Sequence, residues 1–474
     1  MKVNFENLGT IKSGCFSTNK LTIIFGKNNS GKTYLSYATY IILKKLEEII
    51  DNASKFEELE TLSGYIIDSP KIQNIKIDVE NHIEKLLKNF NEKLNEELTD
   101  GFKVPTDFFK KTRVNIDHTD LKDSFYSNEI NLETSDVFGI KKATIRKSKK
   151  SWLVEVISIN DLDEKNNIDD IDESVRNMLF KIYIDKIKNK ILSSLINDGI
   201  ENTFIITSER TGIELFYKDI DNNRSNISEE FSNKNKINKL TKSRILSIFD
   251  SNVSYYSMPI SDNIKAIRNS SREIGSNFTN SKYYNLVNNT LRKMAKGIFK
   301  REKTGGVIFV TDGDKSSIPL PLASSSIKAL SLFDIYINKM SSLEDTLIID
   351  EPELNLHPDN QIIMAELIAR MVNAGIKVIM TTHSDYMVRE INNRIKLKTI
   401  YHKNKKIALS FVESELDLLD FNDVYTYKIN ETGVIEKISV DKDGMSSVIF
   451  DEVIQSSYER ELNISLELDL DNEY

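Results

Sequence analysis

The stretch IIFGKNNSGKTYL, residues 23 to 35, restricts the possible folds of this chain more than any other. Apolar residues run into a loop rich in glycine and asparagine, and the segment after it has apolar positions at helical spacing. Gly26, Lys27, Asn28, Asn29, Ser30, Gly31, Lys32 and Thr33 match G-x-x-x-x-G-K-[ST] in full, with a strand predicted before and a helix after. A phosphate chain calls for this arrangement. Glycines let successive amides turn inward as an anion nest, and the helix N-terminus adds the positive end of its dipole. Lys32 can then reach the β and γ phosphates, and the Thr33 hydroxyl can coordinate magnesium. A glycine-rich turn that merely capped a helix would not need lysine followed by threonine.

A phosphate loop needs an acidic partner, and TLIIDEPELNLHP supplies one. Four apolar or β-branched residues carry Asp350 to the C-terminal edge of a strand, the edge at which the loop also lies in a doubly wound sheet. There Asp350 can hold magnesium, directly or through water, and Glu351 can accept a proton from attacking water. An Asp-Glu pair after an apolar strand is otherwise an ordinary loop start, so its meaning comes from the pairing with residues 26–33. A third apolar strand, VIMTTHS, ends in Thr381, Thr382 and His383. His383 follows Asp350 by one helix and one strand, which puts it at the same edge, where it can sense a γ phosphate.

Alternation of apolar strands and helices over residues 305–400 predicts an α/β fold with a mostly parallel sheet covered on both faces. The first 50 residues read as strand, strand, loop, helix. The expected division is an N-terminal lobe at 1–50, an inserted, mainly helical arm at 51–300 and a C-terminal lobe at 301–474, with a possible core strand inside 203–217. In the arm, Ile83, Leu86, Leu87, Phe90 and Leu94 keep the spacing of an amphipathic helix. A second helix is expected over VRNMLFKIYIDKIKNKILSSL, a basic strand pair over GIKKATIRKSKKSWLVEVISI, and loops over NDLDEKNNIDDIDES and DIDNNRSNISEEFSNKNKINKLTKSR.

With 474 residues, 39% of them hydrophobic, the chain can bury a large core. A net charge of −8 argues against a surface that coats nucleic acid as a whole. Cys15 is the single cysteine, which excludes an internal disulfide framework. The N-terminus lacks a signal-like apolar core, and no apolar run approaches the roughly 18–20 residues of a membrane span. The reading is a cytoplasmic protein with no membrane segment.

Taken together, GKNNSGKT, a large insertion, a serine-rich segment, LIIDEPELNLHP and TTHS resemble the ABC-type P-loop ATPase heads of the SMC, RecF and OLD groups. The resemblance covers both ends of the chain and less than half of its length. It implies ATP and magnesium as cofactors and closure as a head-to-tail homodimer, or a higher ring of dimers, around ATP. Asp350 is then the Walker B carboxylate, Glu351 the catalytic base and His383 the switch histidine. Asn355, Leu356 and His357 form the D-loop that crosses to the other subunit. Ser324, Ser325 and Ser326 stand where the family's signature touches the γ phosphate in trans, but LASSSIKAL lacks the usual glycine, so slow hydrolysis is expected. TSERTGIEL, with Ser208, Glu209 and Arg210, is similar to a P-A-E-R-T-G segment of prokaryotic heads, and Arg210 is read either near the nucleotide or a partner, or in a surface ion pair. No Q-loop glutamine stands out.

Within the group, SSSIKALSLFDIYI, DEPELNLHPDNQ and TTHSDYMVREINN resemble the ATPase subunit of phage-defence systems such as PARIS. That implies a sensor or scaffold that holds a separate Toprim-like nuclease effector until a phage trigger protein arrives. OLD-type nucleases carry their own Toprim domain, yet Asp469-Leu470-Asp471 sits too near the end of this sequence for the strand and helix such a domain needs. The chain is therefore not read as a nuclease. The alternative is a RecF- or SMC-like repair head that binds duplex DNA through Lys141, Lys142, Arg146, Lys147, Lys149 and Lys150 around Trp152, or through Arg292, Lys293, Lys296, Lys300, Arg301 and Lys303.

Overall fold

The structure, a computed structural model, describes residues 2–51, 74–78, 80–117, 126, 129–133, 142–159, 202–216, 256–270, 275–302, 306–445 and 458–465. The expected helix over 175–195, the loops at 160–174 and 219–244 and the acidic pair at 469–471 lie outside these residues.

Four short segments form one end of the main sheet: β3 (Leu21–Gly26), β9 (Thr203–Ile206), β13 (Thr346–Ile349) and β14 (Lys377–Thr382). Their sequences, LTIIFG, TFII, TLII and KVIMTT, are rich in β-branched residues and almost wholly buried, as strands covered on both faces must be. They pair in parallel in the order β3-β14-β13-β9. On the other side of β3 lies the parallel strand β15 (Val424–Ile429), then β16 (Val434–Ile438), β2 (Ile11–Ser17), β1 (Lys2–Leu8) and β5 (Arg113–Asp117), which complete a nine-stranded sheet.

The sheet is wholly parallel from β9 to β15 and mixed beyond it, where β15–β16, β1–β2 and β1–β5 are antiparallel and β16–β2 is parallel. Strand β2 is absent from the sequence reading. IKSGCFS has no apolar run and only its two apolar ends are buried, so the strand exists because β1 and β16 pair with it rather than through its own pattern.

Side chains alternate across β3, β9, β13 and β14. Ile24, Ile205, Ile348 and Ile379 face a core shared with α1 (Lys32–Asp51) and α2 (Glu80–Phe102). Ile23, Phe25, Phe204, Ile206, Leu347, Ile349, Val378 and Met380 face the other core. That second layer consists of α3 (Met258–Asn269), α4 (Tyr284–Ala295), α5 (Ser325–Ile335), α6 (Pro358–Asn373) and α7 (Asp385–Lys403). Each of these apolar side chains contributes about 1.5–3 kcal/mol on burial, which makes register slips in these strands costly.

In the 51–300 span, Leu86, Leu87, Phe90, Leu94 and Leu98 of α2 are buried against α1, and β5 returns to the sheet edge beside β1. The basic strand pair is present as β7 (Lys142–Lys147) and β8 (Leu153–Ile159), flanked by β4 (Asn74–Asp78) and β6 (Ile130–Glu133) in a four-stranded antiparallel sheet. A small antiparallel sheet of β10 (Gly297–Arg301), β11 (Val307–Thr311) and β12 (Ser317–Pro319) leads into α5. Among the described residues, no helix is long and apolar enough to cross a membrane.

Candidate nucleotide site

Strand β3 ends at Gly26 and α1 begins at Lys32, so residues 27–31 must turn the chain between sheet and helix in one tight loop. Asn29 and Gly31 take the left-handed conformation, with φ of 62° and 106°. A Cβ on Gly31 would lie 2.6 Å from Thr10 Oγ1, and one on Gly26 would lie 2.4 Å from Ser30 Oγ, so neither position accepts a larger residue. Lys32 Nζ donates to the carbonyl oxygens of Gly26 and Lys27, each at 2.9 Å. Burial pulls its pKa down, while Glu351, Asp350 and Glu353 act the other way. The hydroxyl of Ser30 is buried and hydrogen-bonded to none of the described residues.

Strand β13 delivers Asp350 to the same edge, two strands over from β3, with β14 between them. The intervening strand supplies Thr381, whose Oγ1 donates to Asp350 Oδ1 at 2.7 Å. Thr33 Oγ1 donates to Asp350 Oδ2 at 3.0 Å. Asp350 is fully buried, and burial raises its pKa against the pull of these two hydroxyls.

Glu351 adopts φ 52°, donates its N–H to Thr381 Oγ1 at 3.0 Å, and places its carboxylate 3.4 Å from His383 Nε2. The His383 hydrogen bond holds its pKa below the usual range, helped by the charges of His383, Lys32 and Arg210. Behind it, Glu353 Oε1 accepts from Thr382 Oγ1 at 3.0 Å and from the His383 N–H at 2.6 Å. Glu353 has no role in the sequence reading. Its only signal there is a third acid in DEPE, and the contact that uses it spans two strand ends.

Lys32, Thr33, Glu351, Asn355, Leu356 and His383 line one cleft of about 990 Å³. Thr10, from the β1–β2 turn, also lines it and carries no local signal in the sequence. His357 caps α6 and its side chain is exposed, accepting from the Asp359 N–H. Ser324, Ser325 and Ser326 do not line the cleft. They form the start of α5, where Ser324 Oγ accepts from the Ile327 N–H at 3.4 Å and lies 2.9 Å from Ser326 Oγ. Arg210 is fully buried with its guanidinium turned to backbone carbonyls, which excludes the surface ion pair considered for it.

The site residues suit a nucleotide phosphate chain with a hard divalent cation. The loop has no room for a Cβ at either glycine, a buried hydroxyl is left without a partner, and a hydroxyl–carboxylate pair offers the oxygen donors magnesium prefers. The basic runs fare differently. Arg292 pairs with Asp312, Lys293 with Glu413 at 3.1 Å, and Arg301 is buried against Asp334 at 2.7 Å. Lys147 is buried, whereas Arg146, Lys149 and Lys150 are exposed near Trp152. Lys141 and Lys303 lie outside the described residues.

The family model described as AAA ATPase domain matches residues 1–388. No curated protein matches the sequence. Among solved structures, the chain is similar to an SMC head bound to the C-winged helix domain of ScpA, at 12% identity over 93% of this chain and 98% of that one, with a TM-score of 0.33. An SMC head with an extended coiled coil, bound to the C-terminal domain of ScpA derived from Pyrococcus furiosus, shows 11% identity over 97% and 98%, with a TM-score of 0.30. The SMC head domain from Thermotoga maritima shows 10% identity over 93% and 98%, with a TM-score of 0.29. Overlap this loose says nothing of what this chain binds.

Proposed function

This chain belongs to the AAA ATPase domain family and is an ATP-binding ATPase, and from that premise we propose that it closes as a head-to-tail homodimer over ATP and magnesium to hold a separate effector protein. One observation supports the reading most. The Asp350 carboxylate is shared between the phosphate-loop Thr33 and the strand-end Thr381, and the Glu351–His383 pair opens into the cleft that Lys32 and Thr33 line.

Hydrolysis requires in-line attack of water on the γ phosphate. Glu351, kept ionised by His383 and Lys32, orients that water and accepts its proton on the carboxylate. His383 holds Glu351 from the far side and reports on the γ-phosphate position. Lys32, whose ammonium sits on the carbonyls of Gly26 and Lys27, is the cation available to phosphate oxygens. Thr33 and Asp350 would hold magnesium, which would supply neutralising charge there. Asn355 and Leu356 line the mouth, and His357 and Ser324–Ser326 lie on exposed surface that a second copy can reach. Without a glycine in the serine segment, the backbone approaches phosphate less closely, and turnover is slow.

The effector reading extends the defence-system resemblance of SSSIKALSLFDIYI and TTHSDYMVREINN, with a Toprim-like nuclease as effector and a phage protein as trigger. Direct duplex binding is the second reading, supported by exposed Arg146, Lys149 and Lys150. It loses Arg301, buried against Asp334, while Arg292 and Lys293 sit in exposed surface pairs and Lys296 and Lys300 are exposed.

Two experiments test the proposal. Lys32→Ala abolishes ATP binding, and unchanged affinity in a direct titration overturns the phosphate-loop assignment. The Glu351→Gln form, tagged in its native operon and isolated with ATP and magnesium, should be an even-numbered assembly carrying a stoichiometric protein. Salt-sensitive duplex DNA with no protein would instead support the repair-type clamp.

A further inference from the structure

The segment that follows β9 is bonded to several elements around the site and does not line the cleft. Thr207 gives both its N–H and its hydroxyl to Asn263 Oδ1 of α3, each at 3.1 Å. Glu209 Oε2 accepts from Tyr37 Oη of α1 at 2.7 Å. Thr211 Oγ1 accepts from Asn355 Nδ2 at 3.2 Å. Glu214 accepts from the Ser331 hydroxyl of α5. Residues 207–216 are thus tied at once to the phosphate-loop helix, to the loop after β13 and to the helix headed by Ser324–Ser326.

At the centre of this strap is Arg210, fully buried, with its guanidinium carbon 6.0 Å from the Phe333 ring centroid. One arm, Nη1, donates to Thr207 O at 3.1 Å and to Asp350 O at 3.0 Å. The other, Nη2, donates to Glu351 O at 2.8 Å and reaches toward Leu354 O at 3.5 Å. The carbonyls of Asp350 and Glu351 are consecutive, and in an extended strand they would point to opposite sides. They meet one planar fork because Glu351 is left-handed at φ 52°, a strained conformation that a non-glycine residue keeps only where its surroundings enforce it. A guanidinium can bridge both carbonyls, and an ammonium on a lysine stem cannot hold that fork.

We propose that Arg210 is a positioning residue of the ATPase: by bridging the carbonyls of Asp350 and Glu351 it fixes the left-handed turn that aims the Glu351 carboxylate at His383 and the cleft. The inference deepens the proposed function and rests on Glu351 acting as the base. Arg210 touches no residue of the phosphate loop in the described contacts, so its effect falls on turnover rather than on nucleotide binding. Burial lowers its pKa to about 10, while the carboxylates of Glu353, Asp350, Glu351 and Glu209 act the other way, so it stays a cation at neutral pH.

The test uses the full-length protein with Arg210→Lys and Arg210→Gly, a fluorescent ATP analogue for affinity and phosphate release for turnover. Arg210→Lys, which keeps the charge and is the better-tolerated variant, should bind the analogue as the wild type does while kcat falls roughly 100-fold, the cost of misplacing a reacting group by about 1 Å. Millimolar guanidinium should restore part of the turnover of Arg210→Gly and leave Arg210→Lys unmoved. Wild-type kcat in Arg210→Lys overturns the inference, as does a parallel loss of affinity and kcat, which would mark a general structural role. Glu351→Gln run alongside separates the two layers. If that variant still turns over, the base assignment fails; if it is inactive and Arg210→Lys is not, only the present inference fails.

Discussion

Burial at single residues makes this protein's stability depend on pH. Glu214, in the strap, is buried against α5, with one oxygen accepting from Ser331 and the other without a partner among the described residues. Burial pushes its pKa up to about 7. A carboxyl whose folded pKa is raised makes folding take up a proton, so the stabilisation is present below the ordinary carboxylate pKa and is lost as pH rises through about 7. The amount at stake is on the order of 3 kcal/mol. Asp345, at the opposite end of β13, is pushed to about 7 by burial as well and adds to the same trend. Glu214→Gln should therefore flatten part of the fall in urea midpoint between about pH 5 and about pH 8. A variant whose midpoint falls in parallel with that of the wild type would contradict the assignment. In the sequence, Glu214 is one acid in a polar turn, and nothing local marks it as buried.

Individual elements are held by polar contacts that their hydrophobic pattern does not reveal. Arg370, inside α6, is buried and donates to Asp417 at 2.6 Å, to Thr290 of α4 at 2.6 Å and to Glu413 at 3.0 Å, and pairs with Glu366 at 2.8 Å. Arg370→Met leaves the buried Asp417 carboxylate without its cation, which should destabilise the fold by about 3–5 kcal/mol without changing nucleotide affinity. A shift in the denaturation midpoint worth less than about 1 kcal/mol would mean that water reaches the network. Elements with strong periodicity or uniform apolarity were legible: α1, α2, α6, β3, β13 and β14 follow from their own residues. Strand β2 was not, because its partners rather than its composition make it a strand. The mixed strand directions beyond β15 were also hidden, since strand direction depends on which distant segment closes the edge.

Across the whole molecule, the sheet order turns separate motifs into one site. Residues 26–33, Asp350–Glu351 and His383 were legible because each ends an apolar strand in polar residues of a fixed kind, and parallel strands bring such ends to one edge. Thr10, Glu353 and the grip of Arg210 were not, because each depends on a contact across strands that no spacing encodes. Charge patterning is read only in part for the same reason: Arg301 is buried against Asp334 once the chain folds, whereas Arg292 stays exposed beside Asp312 and Lys296 and Lys300 are exposed. The central claim is that this edge binds and hydrolyses ATP with Glu351 as the base. Its most direct test is to measure ATP affinity and phosphate release side by side for the wild type and Glu351→Gln. The account predicts unchanged affinity with phosphate release lowered at least about 100-fold, and release at the wild-type rate would contradict it.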